Sequence, residues 1–385
     1  MNKALSLTQV LLALGASMGA CDASAKTLIT LYRFSKEYVL SSPLVRGNGL
    51  LYGTAVLKSG ATTVFGFDPV TRHETDLYTF TAARAGGAPP VMLYANDSLY
   101  GSFRYGGTAR EGLLFRIDLA TDTETDLLDF AAIRHGSQAV GPGGIVFAHG
   151  GIFGISASES PDEGVLYRLS RKSGKFKTVS TLTVDRGLLS MPEAGALLCD
   201  AGVFYGVTIG GPGEGGVFAF DMRTKTETQL YEFGSDGYDA YPNGDLTLGG
   251  GSLYLTVQDG ETGCGAIYTV QGDHNAMQTF GRSLFNFACD SAEGSFVNGP
   301  VAYRDNALYG TTMLGGDLTD GQGYGTIFEY DLGTGTEAVL YQFSGGASGD
   351  YPRAGPTFLH GAWYGTTSGQ PVNGSGRGTI YKFKP

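Results

Sequence analysis

A short phrase, in which an apolar residue is followed by an aromatic residue and glycine, recurs along this chain of 385 residues. Its aromatic residues are Tyr52, Tyr100, Phe153, Tyr205, Tyr254, Tyr309 and Tyr364. Successive copies lie 48, 53, 52, 49, 55 and 55 residues apart, and only the fifth copy has leucine, Leu255, in place of glycine. A period of roughly 40–50 residues is typical of an array of similar supersecondary units. Seven units of about four strands each suffice for a closed ring, so the repeat predicts an all-β fold, a seven-bladed β-propeller with four-stranded blades.

Each unit contains four strand-like segments. The first follows a proline, such as Pro43 or Pro300, which can open a strand without interrupting its ladder of hydrogen bonds. The second is the aromatic-glycine phrase. The third alternates apolar and aromatic residues, as at 64–67, and this period of two places one face of the strand inward. The fourth ends in an apolar residue after a further alternation.

The fourth segment is distributed along the chain differently from the other three. It follows the third segment in six units, at 77–80, 127–130, 179–182, 230–233, 284–287 and 340–343. The seventh unit stops at Phe383 without one, whereas residues 31–34 supply an additional copy ahead of the first unit. We therefore expect the N-terminal strand to join the last blade, because this pairing closes the ring and removes both open edges.

Two stretches near the end of the chain carry a resemblance to a known family. Residues 308–312 read Leu-Tyr-Gly-Thr-Thr and 363–367 read Trp-Tyr-Gly-Thr-Thr, followed by Gly-Thr-Ile-aromatic at 325–328 and 378–381. This pattern is similar to the GloVer tandem repeat of exported bacterial proteins, called choice-of-anchor because their surface-attachment signals differ. The resemblance covers essentially residues 28–385. It implies export and a propeller-like fold, and it implies no defined activity.

The first 25 residues resemble an export signal, with Lys3 ahead of a short apolar core at 10–14 that is too short to span a membrane. Two cleavage sites compete. The small-x-small site at 23–25 would release a soluble protein beginning at Lys26, whereas 18–21 resembles a lipobox that would leave Cys21 as a lipid anchor. We expect residues 26–385 to form one propeller domain without a transmembrane span. The protein would then be periplasmic, secreted or lipid-anchored at the bacterial envelope.

The charge balance argues against several partners. The net charge is −11 and the pI is near 4.9, which suits neither nucleic acid nor anionic lipid, since both attract Lys and Arg. The four cysteines form no Cys-x-x-Cys or Cys/His cluster that would suggest zinc. We expect no metal and no cofactor. Cys264 and Cys289 project toward the same side of unit 5, which favours a disulfide in an exported protein; two free thiols are the alternative.

One face of the predicted ring has the longer loops, those between the second and third strands and those between blades. We call it the loop face, and the opposite face, with its tight turns, the turn face. Long loops on a rigid scaffold commonly carry function. The candidate ligand-binding residues there are Arg84, Arg134, Arg186, Asp236 and Tyr238, and the same face also carries Arg104, Tyr105, His135, Asp350, Tyr351 and Arg353. Arginines from blades 1–3 opposite Asp and Tyr from blades 4–6 could hold an acidic oligosaccharide, since the guanidinium group suits carboxylates and aromatic rings suit sugars.

Three functions follow from this pattern. The leading hypothesis is an exported, monomeric, non-enzymatic binding module for a glycan or protein ligand on the loop face. The alternative is a carbohydrate-active enzyme resembling a polysaccharide lyase. In that case His135 with Tyr105 and Arg104 would be catalytic, a base removing the proton beside a carboxylate that arginine neutralises. The third is a structural envelope protein.

Overall fold

The structure is a computed structural model, and it is all-β, as predicted: seven antiparallel sheets arranged in a ring form a seven-bladed β-propeller. It describes residues 27–35, 38–86, 91–133, 139–158, 163–183, 197–208, 215–234, 242, 246–271, 280–289, 292–297, 299–318, 323–368 and 377–385.

The strands of each blade run from the centre of the ring outward in chain order. Blade 1 contains Tyr38–Val39 with Val45–Gly47, then Leu50–Leu57, Thr62–Asp68 and His73–Phe80. Blade 2 contains Val91–Ala95, Ser98–Phe103, Leu113–Asp118 and Thr123–Asp129. Blade 3 contains Ala139–Ala148, Gly151–Ser158, Glu163–Ser170 and Phe176–Thr183. A short α-helix, Ala82–Ala85, follows blade 1, and a 3-10 turn, Phe130–Ala132, follows blade 2.

The remaining blades repeat this order. Blade 4 contains Leu198–Asp200, Val203–Thr208, Gly216–Asp221 and Thr226–Glu232. Blade 5 contains Thr247–Gly249, Ser252–Val257, Ala266–Gln271 and Phe280–Asn286. Blade 6 contains Ser295–Val297 with Ala302–Arg304, then Ala307–Leu314, Thr326–Asp331 and Thr336–Gln342. Blade 7 contains Thr357–Leu359, Ala362–Thr367, Thr379–Lys384 and, as its outermost strand, Thr27–Arg33.

The predicted closure of the ring is confirmed. The N-terminal strand pairs antiparallel with the third strand of blade 7, so that Thr27 faces Lys384 and Arg33 faces Thr379. The amide of Phe34 continues the contact by donating to the carbonyl oxygen of Gly378 over 3.0 Å. The chain therefore joins its own last blade, and the N-terminal strand covers the edge that the third strand of blade 7 would otherwise expose.

The hydrophobic core is divided among the seams between neighbouring blades. Among the described residues each seam has its own cluster of buried apolar side chains, including the closing seam between blades 7 and 1. The aromatic-glycine phrase serves two seams at once: Leu308 packs toward blade 5, and Tyr309, the next residue, packs toward blade 7. This is the alternation expected of a strand whose two faces are both covered.

The first strands depart from the predicted pattern in three blades. In blades 1 and 6 the innermost strand is split into two short segments that pair with the same second strand. In blade 3 the first strand begins at Ala139, ahead of Pro142. The pairing shifts register on both sides of Pro142, because proline has no N–H to donate to the ladder.

A recurring hydrogen bond fixes the segment that leads into the first strand of blades 3, 6 and 7. The hydroxyl of the residue directly after the glycine position of the phrase donates to a backbone carbonyl of the next blade. Ser102 donates to Gly143 over 2.8 Å, Thr256 to Gly299 over 2.9 Å and Thr311 to Ala354 over 3.0 Å. These bonds position the backbone around the centre of the ring.

Candidate functional site

The central channel of the ring is a cavity of about 640 Å³. Every blade contributes to its wall, through Val45, Met92, Ile145, Leu198, Thr247, Ala302 and Thr357 among others. The lining is mostly apolar because it is formed by the innermost strands and by the proline-containing segments that precede them, which we call the lead-in segments. A cavity of this size is in the range that binds small ligands.

The charged side chains of this described lining are both arginines. Arg353 belongs to the lead-in of blade 7 and therefore lies at the loop-face end, and the bond from Thr311 to the adjacent Ala354 holds this segment. Its Nε is buried and makes no hydrogen bond within the described part of the chain. Arg46 lies near the end of its strand, toward the turn face, and donates from Nη1 to the carbonyl of Phe358 over 3.2 Å.

A second loop-face cavity, of about 780 Å³, lies between blades 1 and 2. The helix Ala82–Ala85 forms one wall, and the loop around Gly107 and Arg110 forms another. The amide of Gly107 donates to the carbonyl of Arg84 over 3.1 Å, which fixes the loop on the helix. Asp129 is used within the loop, since it accepts from the amides of Thr108 and Ala131.

Arg84, a predicted ligand-binding residue, lines this cavity and is engaged inside the protein. Its Nη1 and Nη2 lie 3.1 and 3.2 Å from the two carboxylate oxygens of Glu124, and Nη1 is 3.1 Å from the hydroxyl of Tyr78. Nη2 also bonds to Asp126. Burial raises the pKa of Glu124, and Arg84 opposes that rise by stabilising the carboxylate. Arg84 thus connects blades 1 and 2, and a ligand carboxylate would have to compete with two internal ones.

Arg104 and Tyr105 lie together on the adjoining loop. The Arg104 guanidinium carbon is 5.4 Å from the centre of the Tyr105 ring, and Tyr105 is 49% exposed. The backbone of Tyr105 lies so close to Gly86 that a Cβ there would be 2.3 Å from its carbonyl. Arg104 also lies against Gly141, 3.4 Å from the position of a Cβ on that glycine.

The other predicted site residues lie outside the described residues. These are Arg134, His135, Arg186, Asp236, Tyr238 and the lipobox Cys21. A catalytic group formed by His135 with Arg104 and Tyr105 therefore stays a prediction.

Arg46 was missed by the sequence reasoning. It precedes the turn at 47–49 and so resembles an ordinary polar hairpin residue. Its position within the repeat could have identified it as a residue of the channel lining. Arg46 faces Leu51 in register, and the matching positions of blades 2, 6 and 7 hold aromatic residues, Tyr94, Tyr303 and Phe358.

A disulfide joins Cys264 to Cys289 in blade 5, with a Cα separation of 5.3 Å. It ties the loop between the second and third strands to the residues after the fourth strand. Thr262 strengthens the same junction by donating to the carbonyl of Phe287. Among the described residues no group of three or more His, Cys, Asp and Glu could hold a metal ion. None of the helices in the described ranges has the length and apolar character needed to cross a membrane.

These features define a seven-bladed β-propeller with an apolar central channel and arginine at the loop-face mouth. The chain belongs to the Gloeobacter/Verrucomicrobia repeat family, whose sequence pattern matches residues 141–381. The predicted family is confirmed.

Solved structures share the fold at low sequence identity. An oligogalacturonate lyase in complex with manganese aligns with a TM-score of 0.56 and 14% identity, over 94% of this chain and 96% of that one. The oligogalacturonate lyase of Vibrio parahaemolyticus aligns with a TM-score of 0.57 and 9% identity, over 94% and 97% of the two chains. Saccharomyces cerevisiae Sqt1 aligns with a TM-score of 0.53 and 9% identity, over 88% and 83%. No curated protein sequence matches this chain.

Proposed function

We propose that this protein is a non-enzymatic binding module that recognises an acidic glycan at the loop-face mouth of its central channel. The observation that carries the proposal is Arg353, whose Nε is buried without a hydrogen-bond acceptor in the described chain. A buried donor without a partner costs about 1–3 kcal/mol. A ligand carboxylate would satisfy it, since guanidinium and carboxylate form short, strong, paired hydrogen bonds.

The surroundings of Arg353 support an anionic ligand. The protein as a whole carries a charge of −11, yet the described channel lining contributes two arginines and no carboxylate. The rest of the lining is mostly apolar, which strengthens the attraction between charges by keeping water away. Oligogalacturonate, a chain of sugar acids, is the first ligand to test, because two structures that share this fold are named as lyases of it.

The test is isothermal titration calorimetry of the Lys26–Pro385 protein with oligogalacturonate and with its methyl-esterified form, which has no charge. We expect the acid to bind and the ester to bind at least about tenfold more weakly, because one charged hydrogen bond is lost. Arg353→Gln should weaken binding of the acid by a similar factor. Arg72→Gln, an exposed arginine on the turn face, should leave it unchanged. Equal binding of acid and ester, or full affinity in Arg353→Gln, would contradict the proposal.

The lyase alternative is tested in the same samples. Contact between Arg104 and Tyr105 on the loop face is the observation that favours it. A lyase would generate an unsaturated product with ultraviolet absorbance, and this signal should disappear in His135→Ala. Binding without new absorbance would support the binding module, and silence in both measurements would favour a protein ligand or a structural role in the envelope.

We also propose export, with residues 1–25 as the signal and residues 26–385 as one propeller domain. Thr27 pairs with Lys384 at the end of a third strand, and third strands end on the turn face. A lipid anchor at Cys21 would therefore hold the turn face toward the membrane and leave the loop face free for ligand. Labelled palmitate should enter the wild-type protein and not Cys21→Ser; no label in either would leave cleavage at 23–25 as the route.

A further inference from the structure

A third cavity, of about 590 Å³, lies on the turn face between blades 3 and 4, away from the loop-face sites. Its polar lining consists of His149, Arg168, Asp221 and Arg223, and its apolar lining includes Met222. The cavity forms where the first hairpin of blade 3 meets the turn between the third and fourth strands of blade 4.

Arg168 is held in this cavity with an unused donor. It faces Phe153 in the neighbouring strand, and its guanidinium carbon is 5.8 Å from the centre of that ring. Nη2 has a long contact of 3.4 Å to the carbonyl of His149, whereas Nε is buried and has no acceptor among the described residues. Gly151 leaves space for this arrangement, since a Cβ there would lie 2.9 Å from Arg168 Nε.

The acidic residue of the described lining is already committed to the backbone. Asp221 accepts hydrogen bonds from the amides of Arg223, at 2.6 Å, and Thr224, at 3.2 Å. These bonds lower the pKa of Asp221 and fix the turn. Its other oxygen is 3.7 Å from Nη2 of Arg223, whose side chain is 82% exposed. Positive charge therefore faces the open part of the cavity.

The seam between blades 7 and 1 repeats this geometry with weaker anion-binding residues. His360 approaches Gly49 as His149 approaches Gly202, with 3.9 Å to a Cβ on either glycine. Lys382 stands over Tyr364 at 5.7 Å, in the place of Arg168 over Phe153. On the blade 1 side, Asp68 makes the same turn as Asp221, but Val70 takes the place of Arg223. This seam is therefore an internal control for the blade 3–4 cavity.

We propose that the cavity between blades 3 and 4 binds a small organic anion, with its phosphate or carboxylate group on Arg168 and Arg223 and its apolar part against Met222. Two guanidinium groups from adjacent blades converge on one cavity there, and arginine presents paired donors that match both anions. Val203, which is buried, and Met222 supply the apolar contact.

The experiment measures binding of phenyl phosphate, benzoate and uncharged benzyl alcohol by titration calorimetry. We expect both anions to bind and the alcohol to bind at least about tenfold more weakly. Arg168→Gln should reduce affinity for the preferred anion by about tenfold, and Arg223→Gln, on an exposed side chain that the fold does not need, by a factor of about three. Lys382→Gln, at the control seam between blades 7 and 1, should leave it unchanged.

Three outcomes would overturn this inference. The first is binding of benzyl alcohol as strong as that of the anions, which would indicate a merely apolar cavity. The second is wild-type affinity in both Arg223→Gln and Arg168→Gln. The third is loss of binding in Arg353→Gln, which would place the anion in the central channel instead. If Arg168→Gln unfolds, Arg223→Gln alone decides, with unchanged affinity rejecting the site.

Discussion

Gly310 and Phe328 face each other across the second and third strands of blade 6, and the ring of Phe328 occupies the space that a side chain at 310 would need. A Cβ on Gly310 would lie 2.3 Å from Phe328 Cζ. The same pairing occurs between Gly53 and Phe65 and between Gly365 and Tyr381. The recurring glycine is therefore required by an aromatic ring on the neighbouring strand, which explains why the two residue types recur together.

Substitution of Gly310 by alanine should destabilise the protein strongly. The added methyl group would displace a fully buried ring, and overpacking of a core costs about 1–3 kcal/mol or more. Gly66→Ala is the matched control within a strand, because its Cβ would be in ordinary contact with Tyr52 at 3.4 Å. Chemical denaturation should show a loss in free energy of unfolding for Gly310→Ala that is well above that of Gly66→Ala. Equal losses would refute this explanation of the repeat.

Closure of the ring predicts that Phe34 is as important as its counterpart in blade 6, Phe343. Both are buried, at 3% and 0% exposure, and both begin the link between blades with an amide hydrogen bond, to Gly378 and Gly325. Phe34→Ala and Phe343→Ala should each lower the free energy of unfolding by about 3–5 kcal/mol. A much smaller effect at Phe34 would mean that the N-terminal strand is not docked in solution.

Glu337 should make stability depend on pH in the direction opposite to an ordinary paired carboxylate. Burial, together with the nearby charge of Glu293, raises the pKa of Glu337 to about 7 from its usual 4.5. The folded protein therefore binds more protons than the unfolded chain between these values. This contribution to stability is complete below about pH 4.5 and is lost as the pH rises through about 7.

Glu337→Gln should remove that part of the pH dependence, and it should stabilise the protein more at pH 8 than at pH 5. Thermal unfolding of both proteins across this range is the measurement. Glu261→Gln, on an exposed loop, removes the same charge elsewhere. A stability difference from wild type that does not change with pH would rule out the raised pKa.

Phe285→Tyr should stabilise the protein by supplying Glu337 with a partner. At the closing seam the hydroxyl of Tyr32 donates to Glu74 over 2.9 Å, and its ring lies 6.0 Å from Phe67 at 52°. Phe285 lies 6.2 Å from Tyr330 at 50°, in the corresponding position, and one oxygen of Glu337 is buried without a partner among the described residues.

The expected gain is about 1 kcal/mol, the usual net value of a hydrogen bond, and it should be largest at pH 8, where the carboxylate is charged. Phe287→Tyr is the control, because the same hydroxyl would enter the fully buried core and should destabilise. A loss of stability in Phe285→Tyr would show that the two seams are not equivalent.

The Cys264–Cys289 disulfide should stabilise the protein by limiting the unfolded chain. The bond closes a loop of 25 residues, for which chain entropy predicts a contribution of roughly 3 kcal/mol. The double variant Cys264→Ser, Cys289→Ser should lose about this amount in guanidinium unfolding. Reducing agent should then lower the stability of wild type and leave the double variant unchanged; an effect of reductant on both would point to another cause.

The architecture was predictable because its signals are local. The period-two alternation indicates each strand. The phrase at Tyr309 and its equivalents occurs once in each blade and so gives their number. The additional fourth segment at 31–34 identifies the strand that closes the ring. The splitting of the first strand in blades 1 and 6 was not predictable, since it depends on how the lead-in segments bend around the channel. The register shifts at Pro142 arise only when that strand meets its neighbour.

The candidate sites were predictable only as far as the face of the ring on which they lie. Arg84 is on the loop face as expected, but its carboxylate partners Glu124 and Asp126 are 40 and 42 residues away in the chain. The sequence did not distinguish Arg353 from the other arginines of the loop face. Only the structure shows that its Nε is buried in the wall of the central channel. The sequence by itself determined the number of blades, the order of strands within a blade and the closure of the ring, because these follow from the spacing and order of the repeated segments. Only the tertiary structure decided which arginines are paired and which keep an unused donor, because side-chain partners come from different blades and pairing depends on distances that no repeat encodes.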